Sequence, residues 1–247
     1  MIGVQLLAML PVGKEAGIPM LSTSGTASVT EQGNPWIYRF FTADPLAKEA
    51  HVRYVLETLK KRRVALVHQT TAYGQSGRAE IVERLKRAGV DPVMVEALDV
   101  SVRDMSPTIG KVRAANPDVI MLHLHSQSTA LFIRAAAQAA LNLPIVAGSA
   151  IHQPTTAALL EPAELANVCG EANASPVSAD VISKGARTPA DIQKALNTTT
   201  YKGLAMTYKS DGKGNMAHSA VIVCYDGKSR VPRIAQRYDN LSGVFGK

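Results

Sequence analysis

The sequence predicts an α/β fold in which a parallel sheet is flanked by helices on both faces. Short apolar runs alternate with amphipathic stretches along residues 2–148. Two of these runs, VALVH at 64–68 and DVIMLHLH at 118–125, are almost continuously apolar, as is typical of strands that are buried on both faces. Because strand and helix patterns follow each other repeatedly, the strands are expected to run parallel.

Each element has its own signal in the sequence. A helix over 2–16 leads to a short strand, GIPMLS, at 17–22 and to a second strand, PWIYRFF, at 35–41. Asp44 as N-cap and Pro45 at the first helical position open a helix that runs to about residue 61. The following elements are predicted as strand 64–68, helix 75–88, strand 92–97, a helix opened by Ser106 and Pro107, strand 118–125, helix 127–141 and strand 143–148.

The last third of the chain has a different pattern. Residues 175–187 are small, polar and unpatterned, and Thr188-Pro189 then opens a short helix to residue 197. The remaining sequence is β-like. Asp211-Gly212 and Asp226-Gly227 are hairpin turn signals within it.

Composition narrows the function classes. The 247 residues are 46% apolar and 19% charged, as in an ordinary globular protein, and the net charge is +7. That charge raises the question of nucleic-acid binding, but aromatic residues make up only 5%, so no basic stripe alternates with stacking residues. A solubilising surface is the favoured interpretation. No apolar run reaches membrane-spanning length, and the first residues lack the basic region of a signal peptide.

Two cysteines, Cys169 and Cys224, are present. They form no CxxC pair, which excludes a zinc ribbon and a thioredoxin motif. A disulfide between them would require an oxidising compartment, and the sequence alone favours two buried free thiols.

Familiar enzyme motifs are absent. The sequence has no P-loop, no GxSxG and no HExxH. Gly74 and Gly77 make only half of a dinucleotide-binding fingerprint, and Glu96 is the only acid near the end of the next strand. No carboxylate pair can be recognised, and no cofactor is predicted.

Histidines gather at predicted strand ends. His68, His123 and His125 end parallel strands, and His152 follows another. The carboxyl ends of parallel strands face the ligand crevice in open α/β sheets. Three interpretations stay open: a metal site, the lining of a ligand cleft, and histidines with a purely structural role.

A loop rich in hydroxyls and glycine, LSTSGTASVTEQG, covers 21–33 and follows a predicted strand. Its backbone N–H groups and short hydroxyl side chains could bind an anion such as a carboxylate. A solvated turn is the alternative.

Several segments, in this order, resemble the type I periplasmic substrate-binding proteins of ABC importers, in the branched-chain amino acid (Leu/Ile/Val-binding-like) family. They are IPMLSTSGTASVT, YRFFTAD, VALVHQTTAYGQSG, GVDPVMVEALDV with RDMSPTIGKVRAANPDVIMLH, and YKGLAMTYKSDGKG with VIVCYDGK. The resemblance implies two α/β lobes joined by hinge strands, with ligand bound in the cleft between them. It assigns 1–41 and 176–203 to a remnant of the first lobe, and 42–175 and 204–247 to the second.

The resemblance also implies a ligand site. The hydroxyl-rich loop would hold the ligand carboxylate, and a Tyr-Gly pair at the start of a second-lobe helix would cover the ligand from the other side. The implied binding residues are Ser22, Thr23, Ser24, Gly25, Thr26, Tyr73, Gly74, His125, Gln127 and Ala150.

Three departures from the family pattern qualify this expectation. The amino-acid binders place an acid on the loop that reads GSAIHQ here, with Ala150 at or next to the expected position. A cleft with His125 and Gln127, and with His123 as a further candidate, instead suits an uncharged or anionic ligand, such as an aromatic or other organic acid. The opening elements of the first lobe are missing. Only about a dozen residues replace a long helical stretch between GEANASP and TPADIQKAL. A sheet without its covering helices leaves apolar faces open, so this chain alone is expected to be poorly stable or to self-associate.

The function implied by the resemblance is extracytoplasmic capture of a small carboxylate-bearing ligand, either an amino acid or an aromatic or other organic acid. The partner would be the membrane permease of an ABC importer, the location would be the periplasm, and no chemistry, cofactor, metal or nucleic acid is involved. One alternative is a ligand-sensing regulatory protein of the same fold. Another is an α/β enzyme that uses the histidines and Glu96.

Overall fold

The computed structural model describes residues 3–172, 188–202, 207–239 and 241, so the unpatterned segment 175–187 lies outside it. The helices are α1 Gly3–Ala16, α2 Asp44–Arg53, α3 Ala72–Arg87, α4 Ser106–Ala115, α5 Ser126–Gln138, α6 Pro154–Ala157 and α7 Pro189–Thr198. The strands are β1 Met20–Ser22, β2 Ile37–Arg39, β3 Val64–Gln69, β4 Met94–Leu98, β5 Val119–His123, β6 Ile145–Ala147, β7 Val168–Ala172, β8 Tyr201–Lys202, β9 Thr207–Tyr208, β10 Ala220–Cys224 and β11 Arg233–Tyr238.

A seven-stranded sheet has the order β11-β10-β7-β6-β5-β3-β4. Strands β3 to β7 pair in parallel, which confirms the predicted α/β class, whereas β10 pairs antiparallel with both β7 and β11. The central strands β3 and β5 are buried along their whole length, as their continuous apolar runs predicted.

Helices pack on both faces of this sheet. On one face, α4 and α5 contribute Ile109, Val112 and Phe132 to a cluster with Ile120 and Leu122 of β5. On the other face, α2 and α3 contribute Ala50, Ile81 and Leu85 to a cluster that includes Leu66 and Met121. In the described part of the chain, no helix has the length and apolarity needed to cross a membrane.

A second, smaller group of elements lies around a parallel pair of strands, β1 and β2. Leu6 and Leu10 of α1 pack against Val29 and Ile37 there. The outer side of α1 and β1 is apolar and open: Val4, Met9, Val12, Ile18 and Leu21 are each 46–67% exposed. We call these residues the α1/β1 surface.

Residues from β9 onwards pack with the small group. Tyr208, Met216 and Ala217 form a cluster with Tyr38, Phe40, Leu196 and Tyr201. The backbone of Arg39 is held on both sides, because its N–H donates to Gly214 O at 2.7 Å and its carbonyl accepts from Met216 N at 2.9 Å.

The start of α2 differs from the prediction. The helix begins at Asp44 itself, and Ala43 is the N-cap residue without a side-chain capping bond. The Asp44 carboxyl is buried beside Gly25, and its own N–H donates to Gly25 O at 2.7 Å. Tertiary contact therefore replaces local capping. The helix continues as a π turn, Tyr54–Thr58, and ends three residues before the predicted position at 61.

The prediction of free thiols is wrong. Cys169 of β7 and Cys224 of β10 are directly opposite each other in the antiparallel pair and form a disulfide. The Tyr54 hydroxyl contacts both sulfurs, at 3.6 and 3.2 Å. Sequence alone could not reveal this pairing, because β7 had not been predicted and the register between two strands 55 residues apart is a tertiary property.

Candidate functional site

A cavity of about 810 Å³ lies at the carboxyl ends of the parallel strands. Its walls come from the loop after β1, the starts of α3 and α5, and the turn after β6. Open α/β sheets place ligands at this edge, because the loops there carry side chains from several strands.

Most of the residues implied by the resemblance meet at this cavity. Those that line it are Thr23, Ser24, Gly25, Tyr73, His125, Gln127 and Ala150. Ser22, Thr26 and Gly74 do not line it. Ser22 and Thr26 are buried and support the loop from behind, since Ser22 Oγ accepts from Ser24 N at 3.0 Å and Thr26 Oγ1 accepts from Ser24 Oγ at 3.2 Å.

Arg39 holds the hydroxyl-rich loop in place. It is completely buried, and its guanidinium donates to Gly25 O at 2.8 Å, Thr26 O at 2.9 Å and Ala27 O at 3.1 Å, as well as to the Thr30 hydroxyl. Three loop carbonyls thus turn toward the arginine and away from the cavity. The Ala27 N–H donates to Ser76 Oγ of α3 at 3.1 Å, which ties the loop to the opposite wall.

Tyr73 forms the wall at the start of α3. Its ring is half-buried and lies 4.0 Å from the His123 ring and 5.2 Å from the His125 ring, centroid to centroid. His123 Nε2 donates to Tyr73 O at 3.0 Å. Gly74 is required beside it, because a Cβ atom there would come within 2.0 Å of Gln69 O. Gly74 therefore lets the chain turn into α3 while Tyr73 reaches the cavity.

The turn after β6, Ser149–His152, is held by a buried acid that sequence reasoning missed. Glu171 Oε1 accepts from Ser149 N at 3.2 Å and from Lys48 Nζ at 2.6 Å. Lys48 and Glu171 are 0% and 1% exposed. His51 Nδ1 lies 3.7 Å from Glu171 Oε2, and His51 Nε2 donates to Val146 O at 2.8 Å. Nothing local marks this cluster, since α2 and β7 are far apart in the sequence.

His152 and Tyr225 form the wall near β10. The rings stack with centroids 5.9 Å apart, and a hydrogen bond of 2.9 Å joins His152 Nδ1 to the Tyr225 hydroxyl. His152 was considered in the sequence as one of several strand-end histidines, but Tyr225 was not. Other lining residues that the sequence did not indicate are Phe41, Gln153 and Arg230.

The histidines at the cavity are neutral near pH 7. Burial lowers the pKa of His125, and burial lowers the pKa of His152 to about 4. Burial also raises the pKa of Tyr73 well above its usual value, so its hydroxyl keeps its proton. Among the described lining residues, Arg230 is the only one with a permanent charge, and no Asp or Glu lines the cavity.

The other two strand-end histidines, His68 and His123, do not line the cavity. His123 is fully buried beneath Tyr73, and His68 Nδ1 bonds to Gln69 O at 2.9 Å, so neither lines the cavity. Within the described ranges, no group of three or more His, Cys, Asp or Glu side chains is arranged to hold a metal ion.

Comparisons with known proteins agree with this architecture. A sequence model described as "Periplasmic binding protein" matches residues 1–181. The Leucine-, isoleucine-, valine-, threonine-, and alanine-binding protein of Pseudomonas aeruginosa is 24% identical over 130 residues, which are 52% of this chain and 35% of that protein. The chain thus aligns with only about a third of the length of this relative.

Two solved structures share the fold. A leucine binding protein from Thermotoga maritima has a TM-score of 0.81 and 18% identity, over 96% of this chain and 79% of that one. A solute binding protein from R. palustris in complex with 4-hydroxybenzoate has a TM-score of 0.80 and 15% identity, over 96% and 76%. The match to the family model covers well over half of the sequence, and the chain therefore belongs to the periplasmic binding protein family, in the type I group that contains the Leu/Ile/Val-binding proteins.

Proposed function

We propose that this protein is an extracytoplasmic solute-binding protein that captures a small carboxylate-bearing ligand for an ABC importer. One observation carries the proposal: the hydroxyl-rich loop and the Tyr73 wall, which the family resemblance assigned to one site, line the same cavity. Hydroxyls and backbone N–H groups on one side and aromatic rings on the other suit a small planar or branched acid. The proposal includes no chemical step, in keeping with a family whose members are binding proteins.

The chemistry of the lining favours an acid without an ammonium group. Ala150 stands at or next to the position where the amino-acid binders are expected to have an acid, and the described lining contains no carboxylate. Glu171 lies behind Ser149, but Lys48 already neutralises it at 2.6 Å. The R. palustris relative with bound 4-hydroxybenzoate makes aromatic acids a natural first choice.

We propose two lobes around this cavity. The division expected from the sequence, with 1–41 and 176–203 in the first lobe and 42–175 and 204–247 in the second, is supported by the separate β1–β2 sheet. The packing of Tyr208, Met216 and Ala217 on Tyr38 and Phe40 favours one change, in which the first lobe extends to about residue 217.

A periplasmic location and a permease partner belong to the same proposal. The Cys169–Cys224 disulfide supports an oxidising compartment, because such bonds are rare in the cytosol. A ligand-sensing regulatory protein of the same fold is the alternative function. A pull-down with the candidate permease separates the two, since only the importer component binds it.

A thermal-shift screen tests the ligand class. Leucine, valine and isoleucine are compared with benzoate, 4-hydroxybenzoate and aliphatic carboxylates at equal concentration. The carboxylates should raise the melting temperature and the amino acids should not, because a ligand that binds only the folded state stabilises it. Stabilisation by leucine or valine alone would refute the conclusion drawn from Ala150, and no shift with any compound would refute the binding function.

A further inference from the structure

Arg230 lies in the connection between β10 and β11, about 200 residues after the hydroxyl-rich loop in the sequence, and both line the same cavity. Its side chain is anchored by two bonds. Nε donates to Leu160 O at 2.6 Å, and Nη2 pairs with Glu161 Oε2 at 3.0 Å. These bonds fix the plane of the guanidinium, so little side-chain freedom remains to be lost when a ligand binds.

The anchoring leaves Nη1 available. Within the described residues, the hydrogen bonds of Arg230 come from Nε and Nη2 and none comes from Nη1, and the side chain is 43% exposed. Glu161, its ion-pair partner, is 73% exposed and does not line the cavity, so water screens this pair and the positive charge still acts on the cavity.

The rest of the described lining offers no competing charge. Neutral histidines, Ser, Thr, Gln and Tyr side chains form its polar part, without a carboxylate or a lysine. A ligand carboxylate held at Thr23 and Ser24 would therefore share the cavity with one cation that has a free donor. Arginine binds carboxylate oxygens more strongly than neutral donors do.

We propose that Arg230 is a specificity-determining residue that selects ligands with a second anionic group, so that the preferred ligand class is a compact dicarboxylate. The inference rests on the proposed binding function and deepens it. The first carboxylate binds the hydroxyl-rich loop, and the second accepts a hydrogen bond from Arg230. Aromatic rings of Tyr73, His152 and Tyr225 cover the body of the ligand.

The test compares two probes of nearly the same shape, terephthalate with two carboxylates and 4-carbamoylbenzoate with one. Dissociation constants are measured by calorimetry for the wild type, Arg230→Met, Arg230→Lys and Arg233→Met. Arg233 is an exposed arginine of β11 that does not line the cavity, so its replacement controls for the change in net charge. A melting curve for each variant confirms folding, which Arg230→Met should keep because the residue is largely at the surface.

The wild type should bind terephthalate about tenfold more tightly than 4-carbamoylbenzoate, the gain typical of one charge-assisted hydrogen bond. Arg230→Met should remove this preference, Arg230→Lys should retain part of it, and Arg233→Met should leave it unchanged. An equal preference in the wild type and Arg230→Met overturns the inference and leaves the binding function intact. Binding of amino acids or monocarboxylates without binding of terephthalate also overturns it. If no compound binds, the proposed function and this inference fail together.

Discussion

Replacing Lys48 with Met should strongly destabilise the protein. Lys48 and Glu171 lie 2.6 Å apart and are 0% and 1% exposed, so removal of the lysine leaves a buried carboxylate without its counterion. Breaking such a pair costs about 3–5 kcal/mol of unfolding free energy. The Glu171 carboxylate also accepts from Ser149 N, so its displacement would disturb the cavity wall as well.

Urea unfolding at pH 7 measures this effect, and the chain offers a matched control. Lys111 and Glu96 form an ion pair with the same 2.6 Å separation, but Lys111 is 58% exposed. Lys111→Met should therefore cost no more than about 1 kcal/mol. The double variant Lys48→Met with Glu171→Leu should recover much of the loss, because it removes both buried charges. Equal losses in the two single variants would refute the reasoning from burial.

The pH dependence has a defined sign. Burial alone would raise the pKa of Glu171, but Lys48, His51 and the Ser149 N–H lower it below its usual value. The free energy that this pair contributes to stability is therefore present above the pKa that Glu171 has in the unfolded chain. It is lost as the pH falls through the pKa that Glu171 has in the folded protein. Lys48→Met should abolish this acid-sensitive contribution.

Four further predictions follow from other features. Tyr73→Ala should weaken binding of the best ligand of the thermal-shift screen about tenfold while the protein still melts cooperatively; unchanged affinity in calorimetry would remove Tyr73 from the site. Burial raises the pKa of Asp44 to about 6, so the free energy of unfolding of the wild type should decline as the pH rises through 6. Urea titrations at pH 4 and 7.5 should show this decline, which can reach roughly 3 kcal/mol, and Asp44→Asn should lack it. Replacing Cys169 and Cys224 with Ala should lower the free energy of unfolding by about 4 kcal/mol, because the bond closes a loop of 55 residues; a loss below 1 kcal/mol would contradict this. The apolar α1/β1 surface should cause concentration-dependent self-association in light scattering, and a monodisperse monomer with a cooperative melt would count against it.

The order of strands and helices could be predicted from the sequence because it rests on local patterns. The run VALVH is buried throughout, and Pro107 lies at a helix start, as their residue types indicated. The short strand β7 was missed, because VCGEA contains a glycine and an acid and resembles no strand in isolation. Its acid, Glu171, is tolerated in the core only because Lys48 reaches it from another element.

The candidate site could be predicted in part. Local sequence and family resemblance placed Ser24 and Tyr73 together, and both line the cavity. Arg230 was not indicated, because nothing in its hairpin connection distinguishes it from other surface arginines. Its position in the cavity wall depends on the path of the chain after β10. The Cys169–Cys224 pairing was missed for the same reason, since register between distant strands is decided by the whole sheet.

Several cavity residues lie beyond the ends of the buried strands, and this has a consequence for how the ligand preference of the protein could change. The cavity residues that follow β3, β5 and β6 lie at the starts of α3 and α5 and in the Ser149–His152 turn, beyond strands that are fully buried. The Ser149–His152 turn is bonded to Glu171 through the backbone N–H of Ser149, and any non-proline residue at position 149 can make this bond, whereas Ile151 of the same turn is fully buried in the core. Residue 149 can therefore be varied in a combinatorial library while its bond to Glu171 is kept. New ligand preferences are accessible to selection at this position.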